Sequence, residues 1–285
     1  MVHPLLILAL VLQIAEPQQR RPNILITGST DGLGREVARK LAAGGAHVIV
    51  HGRNRERGEA LVAEIAKEGK GTAKFYAADL ASLAEVRKLG QAILRDYDRL
   101  DVLVNNAGVW LTRGERQVSA DGHEMHFAVN YLSGFLLTQM LLPRLIAAAP
   151  ARIVNVASVA QSPIDFNDPQ LEKGYNGGRA YGQSKLAQIM HAFDLAKELE
   201  GKRVTVNAVH PATLMNTSMV ANAGAQPRST VEEGAAAVLQ LITKPDIGTG
   251  QYFNGLRPMR ANAQAYDEAA REKLRTLSKL LTGSM

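Results

Sequence analysis

A tyrosine and a lysine four residues apart, Tyr181 and Lys185, are the residues whose types and spacing could do chemistry. In a helix this spacing places both side chains on one face. A free tyrosine titrates near pH ~10, too high for a base in neutral solution. An ammonium roughly 4 Å away would favour the phenolate by about 4 kcal/mol, enough to bring the tyrosine pKa toward about 7. The pair is a candidate proton donor and acceptor, and an ordinary surface pair is the alternative.

A second candidate site lies near the N-terminus, in the run Thr27-Gly28-Ser29-Thr30-Asp31-Gly32-Leu33-Gly34. The run follows a short β-branched strand and precedes a helix, so backbone N–H groups and the helix dipole can face one anion. Its spacing is Gly-xxx-Gly-x-Gly, which differs from both the G-x-G-x-x-G fingerprint and the P-loop. The run therefore predicts a phosphate-binding turn, and a plain tight turn remains the alternative.

The end of the second predicted strand, His51-Gly52-Arg53-Asn54, indicates which dinucleotide would bind. Sites that prefer NAD usually carry an acid there for the ribose 2′-hydroxyl. This chain has Arg53 instead, and Arg35 follows the glycine turn. Because an arginine attracts a 2′-phosphate that an acid would repel, we predict NADP(H) over NAD(H). The alternative is a solvated helix start made by Arg53, Arg55 and Arg57.

The elements that must position these residues alternate as strands and helices from about residue 22 to the C-terminus. This order predicts an α/β fold: a single doubly wound Rossmann-type domain with a parallel sheet flanked by helices on both faces. Residues 1–21 are predicted to be an apolar leader and linker, and residues 22–285 the NADP-binding domain. Ser82 and Thr230 are predicted helix caps. Longer predicted segments are the helices Met125–Ala149, Ala180–Leu199 and Ala263–Leu281, and a loop from Thr213 to Ser229.

Composition excludes several classes of function. The 285 residues contain no cysteine, so disulfides and thiolate chemistry are ruled out. The net charge is +6 but the basic residues are scattered, and aromatic residues make up only 5%, so we expect no nucleic-acid partner. His123 and His126 do not form a zinc motif, and we predict no metal site.

An apolar run, Leu5 to Leu12, lies in the N-terminal segment. It is shorter than the ~20 residues that span a bilayer. Three readings stay open: a membrane-surface anchor through residues 1–15, a packed or disordered leader, and a secretory signal. We expect a cytoplasmic protein, and association with a membrane through this segment is the alternative.

Together these motifs resemble the short-chain dehydrogenase/reductase family. The glycine turn matches its cofactor motif, Asn105-Asn106-Ala107-Gly108 its NNAG segment, and Ser158, Tyr181 and Lys185 its catalytic trio. The resemblance covers about residues 22 to 282. Finer features are similar to the branch of retinol dehydrogenases and related carbonyl reductases: the segments from Asp121 to Asn130, from Arg152 to Ser158 and from Gln264 to Asp267.

The resemblance implies an oxidoreductase that interconverts an alcohol and an aldehyde or ketone. It implies catalytic roles for Asn130, Ser158, Tyr181 and Lys185, with Tyr181 as general acid and base. With the glycine turn and Arg53, the expected NADP(H) contacts are Gly28, Thr30, Asp31, Gly32, Leu33, Gly34, Arg35, Arg53, Asn54, Asp79, Leu80, Asn105, Ala107, Gly108, Tyr181, Lys185, Pro211 and Thr213.

Two departures from the family pattern affect the site. Tyr181 follows Ser158 by 23 residues, a longer gap than is usual, and the insertion Gln161 to Arg179 is expected to rim the substrate mouth. Pro211-Ala212 stands where the family has Pro-Gly, and alanine fits there unless positive φ is required.

The substrate is predicted from one loop. Met215, Met219 and Val220 suggest a compliant apolar wall, hence a hydrophobic, retinoid-like or lipid-like small molecule. The alternatives are an NADPH-binding regulator without turnover and a nucleotide-sugar-type epimerase or reductase on a related fold. The two long helices, Met125–Ala149 and Ala180–Leu199, resemble those that form homo-oligomers in the family.

Overall fold

The computed structural model describes residues 20–111 and 113–284. The predictions for the N-terminal apolar run and for membrane contact through residues 1–15 lie outside the described residues. No helix within the two described ranges combines the length and the apolar character that crossing a bilayer needs.

One eight-stranded sheet organises the described chain, and only its last strand runs antiparallel to the others. The strands are β1 Asn23–Ile26, β2 His47–Gly52, β3 Thr72–Ala77, β4 Val102–Asn105, β5 Ala151–Val156, β6 Val204–His210, β7 Tyr252–Asn254 and β8 Arg257–Pro258. Their spatial order is β3-β2-β1-β4-β5-β6-β7-β8, so the order reverses between β1 and β4. Ligands of open α/β sheets bind at such a reversal, outside the carboxyl ends of the strands.

Helices cover both faces of the sheet, as the strand and helix order predicted. The helices are α1 Gly32–Ala43, α2 Arg55–Glu68, α3 Leu83–Asp96, α4 Ser133–Ala147, α5 Gly177–Glu198, α6 Ser218–Asn222, α7 Val231–Thr243 and α8 Glu268–Thr282. Alternate residues of the central strands enter two separate cores: Leu25 and Ile49 pack with α3, α4 and α5, whereas Ile24 and Val48 pack with α1, α2 and α7.

Side-chain caps start the helices where the sequence predicts them. The Ser82 hydroxyl accepts a hydrogen bond from the Glu85 N–H at the start of α3. Thr230 and Glu233 form a reciprocal capping box at the start of α7. Both predicted caps are confirmed.

Four elements differ from the predictions. The predicted helix Ala180–Leu199 begins three residues earlier, at Gly177, because the Asn176 side chain caps it there. The predicted helix Met125–Ala149 contains a π-helical turn, Phe127–Leu132, before α4. The predicted loop Thr213–Ser229 contains α6. The predicted terminal helix is a 3₁₀ turn, Ala263–Tyr266, followed by α8, because the Asp267 carboxylate accepts from the Ala269 and Ala270 N–H groups and starts a new helix.

The C-terminal helix α8 packs against α5. Its Leu274 is buried, its Arg275 donates to the Asp194 carboxylate at 2.7 Å, and its Ser278 hydroxyl lies 2.6 Å from that of Tyr131. Part of the surface of the two long helices is therefore covered within the chain, and assembly through them stays a prediction.

Candidate active site

The glycine turn and the loop after β4 are joined into one cradle. The Thr27 hydroxyl accepts hydrogen bonds from the N–H groups of Asn106 and Ala107, both at 3.0 Å. In return, the Asn106 amide donates to the carbonyls of Thr27 at 2.8 Å and Gly28 at 3.1 Å. These bonds fix the turn against the sheet at the point where the strand order reverses.

This cradle requires glycine for two reasons: one position has a positive φ, and two positions have no room for a side chain. Gly28 has φ +64°, and a Cβ there would lie 2.9 Å from the Ala107 Cα. A Cβ on Gly34 would overlap the Gly28 carbonyl oxygen and the Asn106 amide. The turn can therefore approach both its neighbours and a ligand closely.

A cleft of about 400 Å³ opens at the start of α1. One wall is the glycine turn, with Asp31 capping the helix through the Gly32 N–H at 2.8 Å. The other wall is α6, whose Ser218 hydroxyl bonds to the Asp31 carboxylate. A helix N-terminus facing a polar cleft, with no side chain on the flanking glycines, fits the pyrophosphate of a dinucleotide.

The adenine end of the predicted site contains Arg53 and Asp79, which the structure brings together. Their side chains are 70% and 49% exposed and form a loose ion pair at 3.9 Å. Arg35, by contrast, is paired with Glu64, so Arg53 is the more available cation. Four other predicted cofactor contacts have structural partners of their own. The Asn54 side chain caps α2 and the Thr30 side chain lies against Gly52. The Leu33 and Leu80 side chains are in the core.

A buried histidine, His51, links the two ends of the cofactor cleft. Its Nδ1 accepts from the Gly28 N–H at 3.1 Å, and its Nε2 lies 3.2 Å from the Ala78 carbonyl. Burial lowers the pKa of His51 to about 4, so the ring is neutral at pH 7 and donates from Nε2. Sequence reasoning missed this role, although a histidine at the end of a buried strand was the available signal.

Ser158, Tyr181 and Lys185 come together as predicted. Ser158 follows β5, while Tyr181 and Lys185 lie one turn apart on α5, which the Asn176 side chain caps. The Ser158 hydroxyl lies close enough to the Tyr181 phenol to affect its pKa. The Lys185 Nζ lies 5.6 Å from the centroid of the Tyr181 ring.

The prediction that Tyr181 has a lowered pKa is not met. Burial raises the pKa of Tyr181 above its usual value, and the neighbouring Ser158 hydroxyl opposes this only in part. The sequence argument counted the charge of Lys185 but not the loss of water around the phenol.

Lys185 is itself buried, and its hydrogen bonds point away from the phenol. Its Nζ donates to the Val156 carbonyl and to the Gln188 side-chain oxygen, both at 2.9 Å. Burial lowers the pKa of Lys185 to about 7, so its charge is marginal near neutral pH. Gln188 was missed, although it follows Lys185 by three residues on the same helix face.

Asn130 lies in the π-helical turn and joins three parts of the site. Its side chain accepts from the Val109 N–H at 2.7 Å and donates to the Val109 carbonyl at 3.1 Å and the Ser184 hydroxyl at 2.9 Å. A Cβ on Gly108 would lie 3.2 Å from the Asn130 Oδ1 and 3.6 Å from the Lys185 Nζ. Asn130 and Gly108 therefore both lie beside Lys185, and their roles in catalysis and cofactor binding stay predictions.

Asn105 is placed differently from the expectation. Its side chain is buried and donates to Thr138 and Asn155, so it braces β4 against β5 and α4. It does not line the cofactor cleft with its side chain, because the residue still belongs to the strand and its side chain alternates into the core.

The segment after β6 contains two of the predicted cofactor contacts, Pro211 and Thr213. Pro211 is buried, and the Thr213 hydroxyl lies 3.0 Å from the His210 Nε2. Ala212 does not have positive φ, so alanine is compatible with this turn; Leu214 has φ +50° instead.

The insertion Gln161 to Arg179 packs beside the catalytic residues. Gln161 and Tyr252 both donate to the Ser158 carbonyl, at 3.0 Å. The Gln264 side chain accepts from the Ile164 N–H and donates to the Ile164 carbonyl, at 2.7 and 3.0 Å. The late segment at Gln264 is thus a clamp on the insertion.

The pattern of these residues is that of a known family. The short chain dehydrogenase model matches residues 22–228. Retinol dehydrogenase 14 of Mus musculus is 36% identical, covering 91% of this chain and 85% of the relative, and retinol dehydrogenase 12 of Homo sapiens is 35% identical, covering 91% and 86%. The chain belongs to the short-chain dehydrogenase family. This dehydrogenase resembles the retinol dehydrogenase branch and is an oxidoreductase of CH–OH and C=O groups.

Solved structures share the dehydrogenase fold. A putative uncharacterised protein from Mycobacterium paratuberculosis has a TM-score of 0.77 at 27% identity, covering 94% of this chain and 95% of that one. A short chain dehydrogenase from Shigella flexneri, complexed with NADP, has a TM-score of 0.69 at 28% identity, covering 83% and 97%. The NADH-dependent reductase A1-R′ has a TM-score of 0.66 at 27% identity, covering 82% and 95%.

Gly28→Ala should weaken dinucleotide binding about tenfold, because the added Cβ combines backbone strain with crowding against Ala107. Gly45→Ala is the control, since Gly45 also has positive φ but has no heavy atom within 4 Å of an added Cβ. Titration of NADPH fluorescence measures both affinities. Equal affinities in the two variants would contradict a cradle at Gly28.

Acid should destabilise this dehydrogenase between about pH 6.5 and pH 4. Burial lowers the pKa of His51, His191 and His210 to about 4, whereas unfolded histidines titrate near pH ~6.5. The unfolded chain therefore binds more protons in this window, and stability falls as pH falls. Calorimetric Tm measured from pH 8 to pH 4 checks this, and His191→Leu should flatten the slope; a Tm that stays constant in the parent would be evidence against neutral buried rings.

Proposed function

We propose that this chain is an NADP(H)-dependent oxidoreductase that interconverts an alcohol and a hydrophobic aldehyde or ketone, with Tyr181 as the acid and base. The observation that carries the proposal is the convergence of Ser158, Tyr181 and Lys185, with the Lys185 amine beside Gly108 in the loop that braces the glycine turn. Tyr181 can exchange a proton with a substrate oxygen that Ser158 also contacts. A bound nicotinamide would supply or accept the hydride.

The protonation of Tyr181 supports its role as an acid. Because burial raises its pKa, the phenol keeps its proton at neutral pH and can donate it to a carbonyl oxygen during reduction. In the oxidative direction the phenolate is needed, and the charge of Lys185 would have to stabilise it. Since the pKa of Lys185 is about 7, that charge is present below about pH 7 and is lost as the pH rises above it.

The preference for NADP(H) is supported by Arg53. It is an exposed cation at the carboxyl end of β2, and its ion pair with Asp79 is long enough to exchange for a phosphate. Gly28, Gly32 and Gly34 would admit the pyrophosphate, and Gly108 would leave room for the ribose beside Lys185. The complex of the Shigella flexneri protein with NADP agrees with this choice. The NADH-dependent reductase A1-R′ has the same fold, so the fold alone does not select the cofactor and the proposal rests on Arg53.

A hydrophobic substrate is supported by the rings and side chains near Tyr181. The Trp110 ring centroid lies 6.1 Å from that of Tyr181. Val159, directly after Ser158, is 41% exposed. Of the three residues predicted to form the apolar wall, Met219 is 36% exposed, whereas Val220 is buried and Met215 packs against the core that contains α1 and α7, so the three do not form one wall. The names of the retinol dehydrogenase relatives agree with an apolar, retinoid-like or lipid-like molecule.

Tyr181→Phe should reduce kcat for carbonyl reduction by about 10²- to 10⁴-fold, the usual contribution of a general acid. Affinity for NADPH should change little, because the phenyl ring remains. The control is Tyr76→Phe, which removes a hydroxyl on β3 that bonds to Asp96. Stopped-flow NADPH oxidation with aldehydes of increasing chain length measures the rate. Parent-like turnover in Tyr181→Phe would rule out the assigned acid, and NADPH binding without turnover in the parent would favour a regulator.

Arg53→Asp should lower the ratio of kcat/KM for NADPH over NADH by at least about tenfold, because a charge-assisted contact to phosphate becomes a repulsion. Arg55→Asp is the matched control: its side chain is also 70% exposed, but it pairs with Glu59 within α2. An unchanged ratio in Arg53→Asp would remove the basis for the NADP(H) preference.

A further inference from the structure

A buried acid and imidazole, Glu124 and His126, lie beside Tyr181 and have no part in the chemistry described above. Their side chains are 2% and 0% exposed, and the His126 Nδ1 lies 2.7 Å from a Glu124 carboxylate oxygen. Burying two such groups has a cost in desolvation, so every hydrogen bond they make matters to the fold around them.

The partners of His126 fix which nitrogen carries the proton. Its Nε2 accepts a hydrogen bond from the Leu111 N–H at 2.9 Å, so Nε2 carries no proton. The proton is on Nδ1 and is donated to Glu124. One ring therefore connects a backbone amide on one side with a carboxylate on the other.

Glu124 connects this ring to the rest of the site. Its second carboxylate oxygen accepts from the Phe127 N–H at 2.8 Å, where the π-helical turn begins. Its backbone N–H donates to the Gln170 side chain at 2.8 Å, and the Tyr175 hydroxyl donates to its carboxylate at 3.4 Å. The carboxylate thus binds both the turn that carries Asn130 and the insertion.

Trp110 is held on both sides by these groups. Asn130 binds both backbone groups of Val109, the residue before Trp110, and His126 binds the N–H of Leu111, the residue after it. The rings of Trp110 and His126 both flank Tyr181, with centroid distances of 6.1 and 6.0 Å, and His126 meets it edge-on. The indole and the phenol therefore depend on the same polar unit for their relative positions.

We propose that Glu124 and His126 are positioning residues that hold Trp110 against Tyr181 and so shape the wall on which an apolar substrate binds. They reach no reacting atom. This assignment rests on the proposed function, because it specifies how the substrate side of that same site is built.

His191 shows what a histidine that only packs looks like in this protein. It is also buried, and its ring contacts Tyr131 and Phe135. Its Nε2 finds no hydrogen-bond partner among the described residues, and it lies away from Tyr181 on the face covered by α8. It is therefore a matched control for the loss of a buried imidazole.

Two substitutions separate the two hydrogen bonds of His126. In His126→Gln the amide can reach the position of Nε2 and accept from Leu111, whereas in His126→Asn it can occupy only the position of Nδ1 and donate to Glu124. If holding Leu111 matters, glutamine should retain function that asparagine loses. His191→Asn and His191→Gln form the control pair.

Trp110 is the only tryptophan in the chain, so its fluorescence reports this wall directly. We expect His126→Asn to raise acrylamide quenching of Trp110 about twofold and to raise KM for an apolar aldehyde about tenfold, with kcat changed less and NADPH affinity unchanged. His126→Gln should recover most of both values. The His191 variants should lower Tm without changing either one.

The assignment would be overturned if quenching and KM were the same in His126→Asn, His126→Gln and the parent. It would also be overturned if the His191 variants changed KM as much as His126→Asn does. The quenching measurement needs neither substrate nor turnover. A parent that reduces no aldehyde would therefore contradict the proposed function while the quenching result still decides the role of His126.

Discussion

Desolvation of Lys185 and Tyr181 is the constraint on which the active site depends. Burial disfavours the charged ammonium and the charged phenolate alike, which brings the pKa of Lys185 to about 7 and raises that of Tyr181. The cause is the same for both groups, since each loses water on burial and its neutral form is favoured. The Val156 carbonyl and Gln188 accept from the amine, and the absent side chain of Gly108 leaves it space. The Tyr181 phenol can therefore keep its proton until a bound ligand changes the charges around it.

The sequence predicted those parts of the molecule that depend on neighbours along the chain. The caps at Ser82 and Thr230, the glycine turn before α1 and the shared helix face of Tyr181 and Lys185 all follow from spacing over a few residues. The parallel sheet follows from the regular alternation of strands and helices. The grouping of Ser158 with Tyr181 needed the family resemblance, since an insertion separates them along the chain.

The failures concern properties that only the folded environment sets. The pKa of Tyr181 was assigned from one charge, whereas its burial was not visible in the sequence. Asn105 was assigned to the cleft by its motif, but strand alternation turns its side chain into the core. His51 and His126 act through backbone groups 23 and 15 residues away, and no local pattern marks such partners.

The two-way hydrogen bond between Gln264 and Ile164 has a consequence for how the protein is made. It joins segments 100 residues apart, and its later half lies near the C-terminus. A ribosome releases the chain from its N-terminus, so the glycine cradle and most of the sheet can form while the clamp is still unsynthesised. The insertion that borders Ser158 can then be fastened only after Gln264 has been added, 100 residues later than Ile164.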